Sequence, residues 1–421
     1  MSKLLLNREF SEHSYNVDIS ACEHDFINPI LFKGREDCVC VSIGKDDTTR
    51  TLSSSYYIGT DWLLKDKVAV FISSKLNNSS IKIDYLNMLF SCLRHPEIIN
   101  HTRELYEIKL EEPYIEIEQK NDILTPLLIV QYLQILKSIV RKGLKQSYYK
   151  VENNLHGKIK GKVLVAQTIK QNIFKNKHLN VVCSYDEFGL NSMENRLLKK
   201  ALVFCQHYLS LFPDYLKFVS PVMTFCLPAF EMVSEKIELN EIKTSKPNAF
   251  YKEYSEGIRI AKLILKRFGY NIKNTEKKET IQIPPFWVDM SKLFELYVLG
   301  LLKERYGNNV EYHFTKQYNE LDFLLNTEQE KIIIDAKYKR KYQQHYDIDD
   351  IRQLSGYSRI KKVAEHLGYN SDEEQSKAVI DCLIIYPDQN ATLNLNDNLK
   401  KEPIRQFVKF YKHGVRLPEI N

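Results

Sequence analysis

The stretch ELDFLLNTEQEKIIIDAKYKRK (residues 320–341) decides how this chain is read. Two apolar runs, LDFLL and KIIIDAKYK, flank the polar residues Thr327, Glu328, Gln329 and Glu330, which predicts two strands joined by a four-residue turn. A hairpin closed by that turn sets Asn326 opposite Lys331, Leu325 opposite Ile332 and Asp322 opposite Asp335. Directly opposed side chains lie roughly 4.5–5.5 Å apart at Cβ, so the two carboxylates would repel each other. A divalent cation between them removes that repulsion. Mg²⁺ takes oxygen ligands, commonly one or two carboxylates completed by water and substrate phosphate, and can activate a water for attack on a phosphodiester. Lys337, two residues beyond Asp335, projects from the same face of a strand, where its charge can position the water or stabilise the transition state. Ile332, Ile334 and Ala336 then face a core, and Asp335 and Lys337 share their side with Ile333 alone. The competing reading, an Asp-x-Lys surface ion pair, contributes little to stability. It leaves the opposed Asp322 unexplained.

Working outward, WVDMSKLFELYVLGLLKERYG predicts a helix carrying Glu295 ahead of the hairpin. DIDDIRQLSGYSRIKKVAEHLG predicts another behind it, with Gln353 and Tyr357 four residues apart on one face. Helix with Glu, strand with Asp, strand with Asp-x-Lys, then helix: this order resembles the PD-(D/E)XK nuclease superfamily. Gln353 and Tyr357 match its Q-x-x-x-Y, and Leu321 stands where the family often has proline. Three further stretches, HGKIKGKVLVAQTIKQN (156–172), VVCSYDEFGLNSMENRLLKKAL (181–202) and DMSKLFELYV (289–298), resemble the McrC family, the nuclease subunits of modified-cytosine-dependent restriction systems.

The resemblance implies a metal-dependent DNA endonuclease using Mg²⁺, with Mn²⁺ as a substitute. In it Asp322, Asp335 and the Ala336 carbonyl hold the metal, Lys337 acts on the water or transition state, and Glu295 holds a metal-bound water or a second ion. Gln353 and Tyr357 support the site or touch DNA. It also implies a partner, a McrB-like AAA+ GTPase or ATPase ring that recognises and moves DNA. The chain has no Gly-rich phosphate loop of its own, which suits that division of labour. Two alternatives compete: a non-catalytic adaptor that binds DNA and activates the motor, and a stand-alone restriction or repair nuclease of the same fold. An inert copy would be expected to have lost an acid or the lysine.

At 421 residues, with 43% hydrophobic and 27% charged residues, the chain has the composition of a globular protein of two or three domains. No apolar run reaches the eighteen or so residues that cross a bilayer, and MSKLLLNREFSEHS does not have the form of a signal peptide, so a cytoplasmic protein without membrane attachment is expected. The eight cysteines form no CxxC pair and read as reduced core residues rather than zinc ligands. His156 and His178 have no matching partner.

An α/β protein is expected in three parts. Residues 1–124 read as a strand-rich N-terminal domain for partner docking or DNA recognition. Residues 125–280 read as a mostly helical middle domain, opening with the helix LLIVQYLQILKSIVRKGLKQSYYK behind Thr125 and Pro126. The polar run 272–282 and Pro284–Pro285 read as a linker, and 281–421 as the nuclease domain. The middle part carries a basic loop: between Arg141 and Asn180 ten Lys or Arg face one acid, Glu152, a local charge of +9. Lys158, Lys160 and Lys162 within it are candidates for contact with either DNA phosphates or the partner ring.

Overall fold

In the computed structural model the described residues are 3–4, 10–11, 17–19, 28–45, 50–77, 82–92, 95, 98, 101, 104–109, 111–118, 124–210, 213–237, 252–273, 280–314, 321–392 and 395–419. The chain is a mixed α/β protein that divides into two compact units, one made of Met1–Leu124 with Lys278–Asn421, the other of Thr125–Lys277.

The discontinuous unit contains the hairpin. Strands Leu321–Asn326 and Lys331–Ala336 pair antiparallel with Asn326 opposite Lys331, Leu325 opposite Ile332 and Phe323 opposite Ile334. This is the register expected from the turn. The pair sits inside a six-stranded sheet, flanked by Val310–Phe314 on one side and the parallel strand Asp381–Pro387 on the other. Phe410–Val415 continues the parallel part, and Glu402–Pro403 closes that edge.

A strand paired on both sides has two faces to cover, and here both are apolar. Ile332 and Ile334 are buried on the side where the Met290–Tyr306 helix packs. Ile333 is buried on the other, in a core with Leu354 and Tyr357 of the Ile348–Tyr357 helix. The expected alternation named a core only on the side of Ile332, Ile334 and Ala336; the structure adds a second core on the side of Ile333. Parallel pairing to Asp381–Pro387 makes this a central strand, and central strands of such sheets carry helices on both sides.

Three boundaries also differ from the sequence reading. The expected linker and the start of the expected Glu295 helix contain strands: Thr280–Ile283 pairs with Ile115–Glu118, and Phe286–Asp289 lies between Tyr57–Leu64 and Tyr106–Ile108. The Glu295 helix begins only at Met290, with the Asp289 carboxylate capping the Lys292 amide. Residues 281–289 thus belong to sheets of the N-terminal segment, and Trp287 is part of that segment's core with Val41, Leu52 and Ile72. Residues 274–279 of the expected linker lie outside the described residues. Behind the hairpin, the single expected helix is two, Ile348–Tyr357 and Lys361–His366.

In the other unit the first helix runs Leu124–Lys142 and stops at Gly143, whose φ of +91° suits glycine. The expected helical continuation SYYK is strand instead: Ser147–His156 pairs along its whole length with Asn180–Gly189. The expected basic loop is thus a β-ribbon with a short third strand, Lys162–Val163, and a small helix, Val165–Gln171. Helices Met193–Ser210, Pro213–Cys226 and Lys252–Lys273 complete the unit. No helix among the described residues is long and apolar enough to cross a membrane. Described cysteines are all unpaired, and all but Cys38 are buried.

Candidate active site

The register continued one residue toward the open end of the hairpin sets Asp322 opposite Asp335. Their carboxyls hydrogen-bond each other. Asp322 Oδ2 also accepts the Ala336 amide at 2.8 Å. Asp335 is 3% exposed. Its Oδ2 is sealed from solvent and takes no hydrogen bond of regular geometry, its neighbour being the Lys337 ammonium at ion-pair distance, 2.8 Å.

Burial comes first among the forces on both acids. It pushes Asp322 well above the usual carboxylate range, reinforced by the charges of Asp335 and Glu295. Asp335 is raised as well, by burial, with Lys337 and the Asp322 hydrogen bond pulling the other way. The pair therefore favours retaining a proton.

Lys337 feels the opposite balance. Burial disfavours its charge, but Asp335, Asp322 and Asp350 outweigh that and its pKa is raised, so it stays an ammonium. Its Nζ donates to Gln353 Oε1 at 3.0 Å, and Gln353 Nε2 donates to the Tyr357 hydroxyl at 2.9 Å. Gln353 and Tyr357 thus form a bracket one helical turn long that steadies the lysine.

Glu295 reaches the site from its helix on the other side of the sheet. Its Oε1 accepts from the Tyr312 hydroxyl at 2.7 Å and Lys292 Nζ at 3.0 Å, and lies 2.8 Å from His313 Nε2. Burial works to raise the Glu295 pKa, but His313, Lys292 and Tyr312 outweigh it and the net shift is downward. Glu295 is thus shifted toward its anionic form, while Asp322 and Asp335 are both shifted toward protonation.

The expected residues Glu295, Asp322, Asp335, Ala336, Lys337, Gln353 and Tyr357 are thus linked by contacts or by charge. Lys158, Lys160 and Lys162 belong to the other compact unit. There Lys160 pairs with Glu187 at 3.1 Å and lies over the Tyr185 ring, and Lys162 sits in the short third strand opposite Ser184.

Several contributors are not visible in the sequence pattern. Asp350, 6% exposed, binds Lys339 at 2.8 Å and the Tyr342 hydroxyl at 2.6 Å. It lies 4.0 Å from Lys337, so it adds negative charge behind the lysine. Tyr312, His313 and Lys292 surround Glu295. The one signal that could have found Asp350 is its spacing, three residues before Gln353 on the same helix.

The donor set suits a hard cation in part. Buried Asp335 and half-buried Asp322, with one ammonium at ion-pair distance from Asp335, carry excess negative charge once deprotonated, and one Asp335 oxygen lacks a regular hydrogen bond. Among the described residues no group of three or more His, Cys, Asp or Glu side chains is arranged to hold a metal. A site of this kind therefore suits an ion that keeps several waters, as Mg²⁺ does.

The family described as McrBC 5-methylcytosine restriction system component matches residues 56–369. No curated protein matches the chain. Among solved structures, it is similar to a refined half-complex from a tetradecameric assembly of Thermococcus gammatolerans McrB AAA+ hexamers with bound McrC. The identity there is 15% over 97% of this chain and 94% of that one, with a TM-score of 0.39. It is also similar to the Thermococcus gammatolerans McrBC complex, at 13% identity over 74% and 89% of the two chains, with a TM-score of 0.27.

Proposed function

Since this chain belongs to the family of McrBC 5-methylcytosine restriction system components, we propose that it is the nuclease subunit of such a system: a Mg²⁺-dependent, PD-(D/E)XK-type DNA endonuclease that works with a McrB-like AAA+ NTPase ring. The observation that carries the proposal is buried Asp335 set against half-buried Asp322 on the adjacent strand, with Lys337 at ion-pair distance. A surface Asp-x-Lys pair would be solvated, and its aspartate would not be sealed from solvent as Asp335 is.

Asp322, Asp335 and the Ala336 carbonyl would hold the ion. Bound there, Mg²⁺ or Mn²⁺ supplies an acidified water and screens charge on the scissile phosphate. Lys337 stays charged at neutral pH and is kept from swinging away by Gln353, so it can face a phosphate oxygen or the attacking water. Glu295, already anionic, can accept a hydrogen bond from that water. Burial of these groups strengthens each interaction relative to bulk solvent.

The partner half of the proposal draws on the family and on the ribbon of the other unit. Its tip exposes Ile159, Phe174 and Leu179 beside Lys158, Lys175 and Lys177. Exposed apolar groups clustered with charge suit a protein interface or a DNA backbone better than bare solvent.

The test is cleavage of modified and unmodified DNA in Mg²⁺ by the wild type and Asp335→Ala, with and without the AAA+ partner and GTP or ATP. The expected result is at least a hundredfold loss of cutting in the variant, with NTPase stimulation intact. Equal cutting by both proteins would remove the catalytic assignment. Stimulation of the NTPase without any cutting would favour the adaptor reading.

A further inference from the structure

Successive residues of a regular strand point to opposite faces. Tyr312 and His313 do not. They are neighbours in the Val310–Phe314 strand, yet the Tyr312 hydroxyl and His313 Nε2 meet the same oxygen of Glu295, at 2.7 and 2.8 Å. Their rings stack with centroids 3.7 Å apart and planes 24° from parallel. The backbone explains how. His313 has a φ of +51°, in the left-handed region that side chains other than glycine rarely adopt. Of the five described non-glycine residues with such a φ, it is the one inside a strand.

The strand does not break there. Tyr312 is opposite Phe323 and Phe314 is opposite Leu321, so His313 stands across from Asp322. Strain of this sort persists only where its surroundings enforce it, and such positions gather at functional sites. Turning His313 out of alternation brings its ring against Tyr312 and its Nε2 to Glu295. Glu295 in turn acts electrostatically on Asp322.

We infer that His313 is a positioning residue, turned out of the strand's alternation so that, with Tyr312, it clamps the Glu295 carboxylate beside Asp322. The inference rests on the nuclease reading above. Its role is exercised through Glu295, so the two residues should behave as one unit in kinetics.

The experiment is a double-mutant cycle on DNA cleavage, using the full chain with its AAA+ partner, nucleotide and Mg²⁺. The proteins compared are wild type, Glu295→Ala, His313→Gly, the double variant and His313→Gln, with Asp335→Ala as control. Glycine accepts the left-handed backbone, so His313→Gly should melt within a few degrees of wild type. Its kcat should fall roughly tenfold or more with KM for DNA unchanged, as expected when a catalytic group loses its preorganised position. The double variant should be no slower than Glu295→Ala, within about twofold. His313→Gln, whose amide can reach Glu295, should recover to within about threefold of wild type. Should the glycine variant not fold, His313→Asn replaces it in the cycle, since Asn tolerates this backbone and is too short to reach Glu295.

Wild-type kcat in His313→Gly, a loss that multiplies onto that of Glu295→Ala, or wild-type cutting by Glu295→Ala would each overturn the inference. If Asp335→Ala cuts like wild type, the nuclease reading itself is what fails.

Discussion

Asp322, half-buried, and Asp335, buried, are two acids held against each other, and their position has a cost that depends on pH. Both have folded-state pKa values above the ordinary carboxylate range, through burial first; the charges of Asp335 and Glu295 add to the shift of Asp322, while Lys337 and the Asp322 hydrogen bond oppose that of Asp335. A group whose folded pKa is raised contributes stability that is fully present below its unfolded pKa, about 4, and is lost as pH climbs through the folded value. The metal-free protein should therefore lose stability at this pair as pH rises above about 4 and through the raised folded-state values. Asp322→Asn keeps an acceptor for the Ala336 amide and a donor toward Asp335 but cannot ionise. In thermal melts without divalent cation, its advantage over wild type should grow as pH rises over that range. Millimolar Mg²⁺ should raise the wild-type midpoint at the alkaline end and leave Asp322→Asn nearly unmoved. A difference between the two proteins that is flat with pH would contradict this account. The opposition of Asp322 and Asp335 is legible in the sequence, because a polar four-residue turn between alternating runs fixes hairpin register. His313 is not. Nothing in VEYHF announces a left-handed residue, and the Glu295 that its ring meets lies on a preceding helix.

Gly59 shows how far an element depends on a distant one. Its φ is +148°, and a Cβ built on it would lie 2.1 Å from the Phe286 carbonyl oxygen. The Tyr57–Leu64 and Phe286–Asp289 strands can approach this closely only because the side chain is missing. The latter strand leads directly into the helix that carries Glu295. Gly59→Ala should lower stability on the order of 3 kcal/mol, read from urea midpoints, and should reduce cleavage by the folded fraction. Unchanged midpoints would mean that the strands are not so tightly apposed. The Phe286–Asp289 strand is hidden in the sequence for a physical reason. Four residues are too few for a periodic pattern, and WVD runs into the helix without a break, so the apolar run reads as one helix. SYYK misleads in the same way. Helical spacing in the preceding run continues past Gly143, and pairing with a strand thirty-odd residues on overrides it. Burial of both faces of Lys331–Ala336 needs the later helix and the parallel strand, which the hairpin alone does not announce.

At the scale of the whole molecule, the C-terminal segment Lys278–Asn421 and the N-terminal segment Met1–Leu124 are one compact unit, with Thr125–Lys277 as the other. Cutting the chain at residue 281 would expose Phe286 and Trp287, both fully buried. At about 200 Å² each and about 25 cal/mol per Å², that is roughly 10 kcal/mol, comparable to the whole stability of a typical domain. The fragment 281–421 expressed alone should be insoluble or melt without cooperativity. Co-expressed with 1–124 it should be recovered as a soluble complex, and 125–277 should show its own cooperative melt. Limited proteolysis and circular dichroism distinguish these outcomes, and a cooperative, soluble 281–421 would refute the division.

The same pairing sets an order of events on the ribosome. Tyr57–Leu64 and Tyr106–Ile108 leave the exit tunnel early, but the strand that fits between them, Phe286–Asp289, follows only after the whole of 125–277. At roughly 5–20 residues per second, the delay for about 150 residues is on the order of 10–30 seconds. Throughout that interval the nascent N-terminal sheet presents unsatisfied edges on either side of a gap, a target for ribosome-associated chaperones and a hazard in crowded polysomes.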